Sequence, residues 1–313
     1  YTMYDLIGNT NYTVYLYPYN SLSAIGYIVS QTITTIPAIS FGTPAYGNAT
    51  YQSFDIYINP QGSVSYKVQW YDKLGRNNII TSNNSATWCP IYTLDSNSGV
   101  QVTLTPYSGT NLTGIQGNAV SIIGYTLPVI YTASLSSKTG TTIVVQYTGN
   151  QSYVKVFWRV SGIGSYSSSA FTTGYNSSYT INPSPNGLTG LTTYDIYVVP
   201  YNQVYASNTA SSVFQVKTLS TVRGIIITPL SSAIRIDWTV TSEYSFIKTT
   251  IQLTSGSGEY VSANLNGSTN TYTWQSPTPI MAPSTSYTVK VIAYESTFVF
   301  GDLFVYNNVI SLA

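Results

Sequence analysis

Charge is scarce in this sequence. Asp, Glu, Lys and Arg make up only 7% of 313 residues, and the net charge is +1; an average soluble protein has roughly 25% charged residues. Such a chain has no long-range field to draw in nucleic acid or anionic lipid, and its Lys and Arg are spread thinly rather than clustered. Nucleic acid is therefore not an expected partner. Histidine is absent, which removes Ser-His-Asp and Cys-His nucleophile systems, most zinc sites and the usual base at neutral pH. The single cysteine, Cys89, can form no internal disulfide and no thiolate zinc site alone. In the apolar run Ala86-Thr87-Trp88-Cys89-Pro90-Ile91 it reads as a small buried hydrophobe, with an intermolecular disulfide as the other reading. The longest apolar runs, such as Gly224-Ile225-Ile226-Ile227, fall far short of the ~20 residues that span a bilayer, so no membrane insertion is expected. Asp-x-Asp calcium runs are missing, as are glycine-rich phosphate loops ahead of helices. The acidic residues are scattered, with no spacing that suggests the facing carboxylates of a glycosidase, and read as loop and edge residues. Together these absences predict a protein that is not an enzyme and holds no cofactor and no metal.

What is present points to packed β structure. Hydrophobic residues make up 43% of the chain and tyrosines number 31, a composition that can bury cores and is unlike a disordered chain. One pattern recurs: a turn, a Tyr, alternating apolar residues, then Pro-Tyr or Ala-Tyr. It runs Tyr12–Tyr19, Val100–Tyr107, Tyr194–Tyr201 and Tyr287–Tyr294, with the closing tyrosines 88, 94 and 93 positions apart. A period of ~90 residues is the size of one β-sandwich module. Each copy alternates with period two, the mark of a strand with one buried face. No long stretch carries a capped 3.6-residue apolar stripe. The period divides the chain into a partial module 1–36 (two strands) and full modules 37–128, 129–219 and 220–313. The junctions fall near Thr35-Ile36-Pro37, Thr126-Leu127-Pro128 and Thr218-Leu219-Ser220. Linkers this short predict restricted hinges and a semi-rigid rod. The opening residue is Tyr1 rather than Met, as expected of a processed form or a part of a longer polypeptide.

The repeats resemble fibronectin type III domains. That family carries Leu-x-x-x-Thr-x-Tyr before strand F, where the Tyr hydroxyl bonds back to the backbone. Leu6/Thr10/Tyr12 and Leu188/Thr192/Tyr194 match, and Met281/Thr285/Tyr287 match with Met for Leu. The resemblance therefore implies corner tyrosines at Tyr12, Tyr194 and Tyr287. The second copy departs, reading Leu94/Ser98/Val100, which leaves its E–F connection without a corner tyrosine. Strand B is implied at Phe54–Tyr57, Ile143–Tyr147 and Ile234–Trp238, and strand C at Tyr66–Trp70 and Tyr153–Trp158. The implied fold class is all-β: tandem fibronectin type III-like β-sandwiches. Residues 1–36 hold only a strand F-like segment and a strand G-like segment, Ile25–Ile33. Two strands cannot bury a sandwich core, so the rest lies upstream in the chain or is supplied by another molecule through strand addition.

Outward tyrosines are the most informative excess. The strand phase turns Tyr15, Tyr17 and Tyr19 outward in the first copy and Tyr197 and Tyr201 in the third, with Phe157 facing the same way. These rings are candidates for stacking on sugars or packing against another protomer. Seven Asn-x-Ser/Thr sequons occur, although a chain this rich in Asn, Ser and Thr would carry nearly as many by chance. Asn48, Asn83, Asn150, Asn176 and Asn266 lie in turn-like stretches where an N-glycan could stand. The expected function is a structural subunit of an extracellular, cell-surface or virion-surface fibre. Its expected partners are copies of itself (a homopolymer) or other surface proteins. The alternative is an adhesin or carbohydrate-binding stalk with glycans as partners.

Overall fold

The computed structural model describes all residues except 9, 37, 41–47, 62–64, 73, 84–87, 175, 176, 255, 257, 276–280 and 313, with backbone only for 38–40 and 59–61. The chain forms two compact units. One is Tyr1–Val129 with Asn150–Tyr153 and Pro200–Thr209; the other is Ile130–Gly149 with Val154–Val199 and Ala210–Ala313.

The first unit opens with an antiparallel ribbon of β1 (Asn11–Leu16) and β2 (Val29–Thr34), with Tyr12 opposite Ile33 and Val14 opposite Gln31. Next, β3 (Ala38–Ser40) pairs with β5 (Asn59–Gln61), and β4 (Phe54–Tyr57) pairs with β8 (Trp88–Ile91). A four-stranded sheet follows the order β10 (Val120–Tyr125), β9 (Gly99–Tyr107), β6 (Ser65–Tyr71), β7 (Asn77–Asn83). Period-two sequence explains why these strands have an inside. Tyr66, Val68 and Trp70 of β6 and Val100, Val102 and Leu104 of β9 pack with Phe54, Ile56 and Ile91 in one core. Each such side chain contributes about 1.5–3 kcal/mol on burial. Gly124 of β10 is small for a reason: a Cβ there would collide with the Phe54 ring.

Two further sandwiches repeat one plan. In the first, β11 (Ile130–Lys138), β12 (Ile143–Gly149) and β16 (Ser178–Ile181) make one sheet. The other sheet runs β14 (Ser167–Ser168), β13 (Tyr153–Val160), β17 (Thr193–Tyr201), β18 (Phe214–Lys217), with β15 (Thr172–Thr173) also on β13. The second sandwich has β19 (Arg223–Leu230), β20 (Ala233–Thr239) and β24 (Thr271–Gln275) in one sheet. Its other sheet runs β22 (Glu259–Val261), β21 (Phe246–Leu253), β25 (Ser286–Ser296), β26 (Val299–Ile310), with β23 (Leu265–Asn266) on β21. Read by strand letter, these are A-B-E sheets facing C′-C-F-G sheets. The cores come from the alternating faces of B, C and F: Ile143, Val145, Val156, Ile196 and Val198 in one, Ile234, Ile236, Ile247, Val289 and Val291 in the other. The fold is all-β, a tandem array of fibronectin type III-like sandwiches, as the sequence resemblance implied. The expected strands B and C all lie within observed strands. In the ribbon the expected G segment forms only from Val29; Ile25 instead closes the turn by an isolated bridge to Tyr19.

Candidate functional site: turn clamps and junctions

Strand F cannot start its ladder until the E–F turn before it is fixed. In three repeats a tyrosine does this. The Oη of Tyr12, Tyr194 and Tyr287 accepts the backbone N–H of Ile7, Thr189 and Ala282, each at 2.9 Å and each five residues upstream. Tyr194 and Tyr287 are buried; Tyr12 is half-buried.

A second device was not foreseen from the sequence and occurs in all four repeats. The residue that ends strand G, Thr35, Thr126, Thr218 or Ser311, turns its hydroxyl into the same E–F turn. Thr218 Oγ1 donates to Thr189 O at 2.7 Å and accepts from Thr192 N at 3.0 Å. Ser311 Oγ donates to Ala282 O at 2.6 Å and accepts from Thr285 N at 3.2 Å. Thr35 Oγ1 donates to Ile7 O at 2.5 Å and accepts from Thr10 N at 3.0 Å. Thr126 Oγ1 donates to Asp95 O at 2.6 Å and accepts from Ser98 N at 2.9 Å. The repeat lacking a corner tyrosine therefore holds its turn by the clamp, while buried Val100 fills the tyrosine position. The signal was present in the sequence: a hydroxyl residue followed by Ile or Leu, 91, 92 and 93 positions apart.

Two junctions between repeats can be described, each inside one unit. In the first unit the contacts are neutral amides. Asn202 Nδ2 donates to Thr126 O at 3.2 Å, and Asn208 Nδ2 donates to Pro128 O at 2.8 Å. Asn97 Nδ2 donates to Asn150 O, and Asn150 Nδ2 donates to Ser96 O at 3.1 Å. In the second unit the contacts are charged. Arg223 reaches Glu243 through Nε at 2.5 Å and Nη2 at 2.9 Å, and donates to Asn186 O and Leu188 O. Glu243 also accepts Gly190 N–H at 2.8 Å. Burial pushes the Glu243 carboxyl up, but the Arg223 guanidinium and the Gly190 amide outweigh it and hold the group below its ordinary value. Lys217 pairs with Glu295, and Asp302 accepts Gly140 N–H at 2.9 Å. Gly301 lets the connecting chain approach, because a Cβ there would strike Ser220.

Asp5, Asp72, Asp95 and Glu243 lie in loops and turns and Glu259 and Asp302 on edge strands, as expected, but Asp195 and Asp237 depart from that pattern. Asp195 lies in mid-strand β17 and is buried; its carboxyl accepts Ser161 Oγ and Gln215 Nε2 at 2.8 and 2.9 Å, and Arg159 Nε at 3.2 Å. The Ser161 and Gln215 donors hold it down at about 2. Asp237 lies within β20 and pairs with Arg235. An interior carboxylate is tolerable only when such partners replace its water.

Phe157 and Tyr197 do share the outward face of one sheet, but as a stack with centroids 4.9 Å apart and planes 4° apart. Tyr166 closes edge-on against Tyr197, and Arg159 lies over Tyr166. Tyr201 is half-buried at the end of β17. The facing sides of the Phe157 and Tyr197 rings are occupied by each other. Tyr15, Tyr17 and Tyr19 are exposed, with Tyr15 and Tyr17 tilted at 6.3 Å. Among the sequons, Asn48, Asn83 and Asn266 are exposed. Asn48 donates to Asp55, and Asn266 Oδ1 caps its own turn through Ser268. Asn150 is half-buried with its Nδ2 in the junction, and Asn176 lies outside the described residues. Cys89 is buried, which pushes its thiol up to about 11. A hollow of about 530 Å³ in the first unit is lined by Gln52, Asp72, Leu74, Arg76, Thr93, Leu94 and Asp95. Asp72 within it accepts Arg76 N and Nε and Leu74 N, and so serves its own turn. Among the described residues no helix is long and apolar enough to cross a membrane.

No family model matches the chain, and no curated protein matches it. Among solved structures it is similar to the crystal structure of the chicken CNTN1 FN1–FN3 domains. The identity is 12%, 88% of this chain and 98% of that chain are covered, and the TM-score is 0.33. It is similar also to a two-domain fibronectin type III segment of chicken tenascin, at 15% identity, 56% and 97% coverage and a TM-score of 0.31.

Proposed function

We propose that this chain is a non-enzymatic structural subunit of an extracellular or surface fibre, built from a partial module 1–36 and modules 37–128, 129–219 and 220–313, and joined to its neighbours by protein–protein contacts. The observation that carries this reading is the β1–β2 ribbon. Val14 and Leu16 occupy the positions of Ile196 and Val198, which are fully buried, yet Leu16 is 68% exposed. An open strand edge with uncovered apolar side chains seeks a partner. When the partner patch lies elsewhere on an identical subunit, the contact does not close on itself and produces a filament. The low charge fits close packing of copies, and the buried carboxylates serve turns and junctions rather than a reaction centre. Negative-stain electron microscopy of concentrated protein is the test: filaments are expected, and a protein that stays monomeric in sedimentation at every concentration overturns the reading. The alternative, a carbohydrate-binding stalk, is favoured by the free faces of Tyr15, Tyr17 and Tyr19. It predicts retardation on glycan-bearing gels that Tyr17→Ala and Tyr19→Ala abolish.

A further inference from the structure

We propose that Asn20 is the recognition residue of the subunit contact, and that its side-chain amide takes the backbone carbonyl of Ser311 at the end of the last strand of a second copy. The proposal rests on the fibre reading and names the contact within it.

Two asparagines follow the closing tyrosine of strand F: Pro18-Tyr19-Asn20 and Pro200-Tyr201-Asn202. Both fold the same turn. Asn20 Oδ1 accepts Leu22 N and Ala24 N at 2.9 and 3.0 Å, and its own N–H donates to Ala24 O. Asn202 Oδ1 accepts Val204 N and Ala206 N at 3.1 and 2.9 Å, and its own N–H donates to Ala206 O. Ser23 and Tyr205, at the matching place, both take the left-handed conformation, φ 62° and 60°. In each turn the carboxamide oxygen is fixed inward, so Nδ2 faces away from the loop. Asn202 uses it on Thr126 O, the carbonyl of a clamp residue, and is 1% exposed. Asn20 is exposed, and its Nδ2 has no partner among the described residues.

The backbone bond behind the clamp is repeated at Ser311. Leu127 N donates to Thr50 O behind the Thr126 clamp, and Leu312 N donates to Leu230 O behind the Ser311 clamp. Ser311 O accepts Ser284 N at 3.1 Å, and a carbonyl oxygen has a second lone pair for another donor. Charge rules out the Thr218 end. The other described junction sets Glu295, at the Asn202 position, against Lys217, the residue before the Thr218 clamp. An asparagine instead meets a clamp preceded by a neutral residue, Tyr125. The residue before Ser311 is Ile310, neutral and 55% exposed, so the last strand offers the end that an asparagine accepts.

The experiment measures the concentration at which the full chain assembles, by light scattering with electron microscopy. Asn20→Asp keeps the acceptor that holds the turn and removes the donor; it should raise that concentration about tenfold or more, the equivalent of one junction hydrogen bond. Asn20→Glu should do the same. Combining it with Ile310→Lys, to rebuild the Glu295–Lys217 type of contact, should restore assembly. Both positions are exposed, and matching circular dichroism and melting curves check that the variants fold. Variants that assemble like the parent, or a double variant no better than Asn20→Glu alone, overturn the proposal while leaving the fibre reading intact. A parent chain that never assembles overturns both.

Discussion

Side-chain oxygens hold each E–F turn, and the two devices that supply them differ in what their loss leaves behind. Removing the hydroxyl of Tyr194 or Tyr287 deletes one acceptor and leaves one backbone N–H unpaired. Each Tyr→Phe change should cost about 1 kcal/mol, the usual net value of such a bond. The clamp is bonded twice. Thr126→Val would remove the acceptor of Ser98 N–H and a donor to Asp95 C=O at a fully buried position, and losing two bonds at about 1 kcal/mol each should cost about 2 kcal/mol. Urea denaturation of the three variants should rank Thr126→Val as the most damaging. Equal losses would show that the doubly bonded clamp holds its turn no better than a corner tyrosine does.

At the level of the element, strands were legible because a period of two is a local property. Tyr194, Ile196 and Val198 can be read as one face from their spacing alone, and they are buried. Clamps and junctions were not legible, because their partners are distant in sequence: Thr126 and Asn202 are 76 positions apart. The junction threonines were visible as punctuation, but nothing local says that a hydroxyl there reaches back to a turn. Asp195 escaped the loop-and-edge expectation for the same reason, since it is acceptable in mid-strand only because Ser161 arrives from the turn after β13 and Gln215 from β18. The ribbon is the opposite case, with a legible pattern and no core to fill. None of the described residues of 1–36 belongs to the three buried cores. Deleting residues 1–36 should therefore leave the β circular dichroism of the remainder and its cooperative unfolding unchanged. It should also abolish assembly if the ribbon is the contact. Loss of cooperative folding in the truncated chain would show that the ribbon supports a core after all.

Across the whole molecule, the two described junctions solve one problem with different chemistry, and acid should tell them apart. The first uses Asn97, Asn150, Asn202 and Asn208, none of which titrates. The second depends on Glu243, which is 5% exposed and bonded to Arg223 and Gly190. Its carboxyl is held below the ordinary value of 4.5. A depressed carboxylate stabilises the folded state fully above its unfolded pKa, and that contribution is lost as pH falls through the folded pKa. The charged junction should therefore be intact at pH 7 and weaken only once pH has fallen below the ordinary value of 4.5 and through the depressed pKa of Glu243, when protonated Glu243 no longer holds Arg223. Hydrogen exchange gives a local reading of each. The amide of Gly190, protected by Glu243, should lose protection as pH falls below 4.5 and through the depressed pKa of Glu243, after correction for intrinsic exchange rates. The amide of Leu127, bonded to Thr50 O beside the neutral junction, should keep its protection over the same range. Glu243→Gln should deprotect Gly190 already at pH 7. If Gly190 stays protected until the whole chain unfolds in acid, or Leu127 opens in step with it, the charged junction is not the acid-labile one.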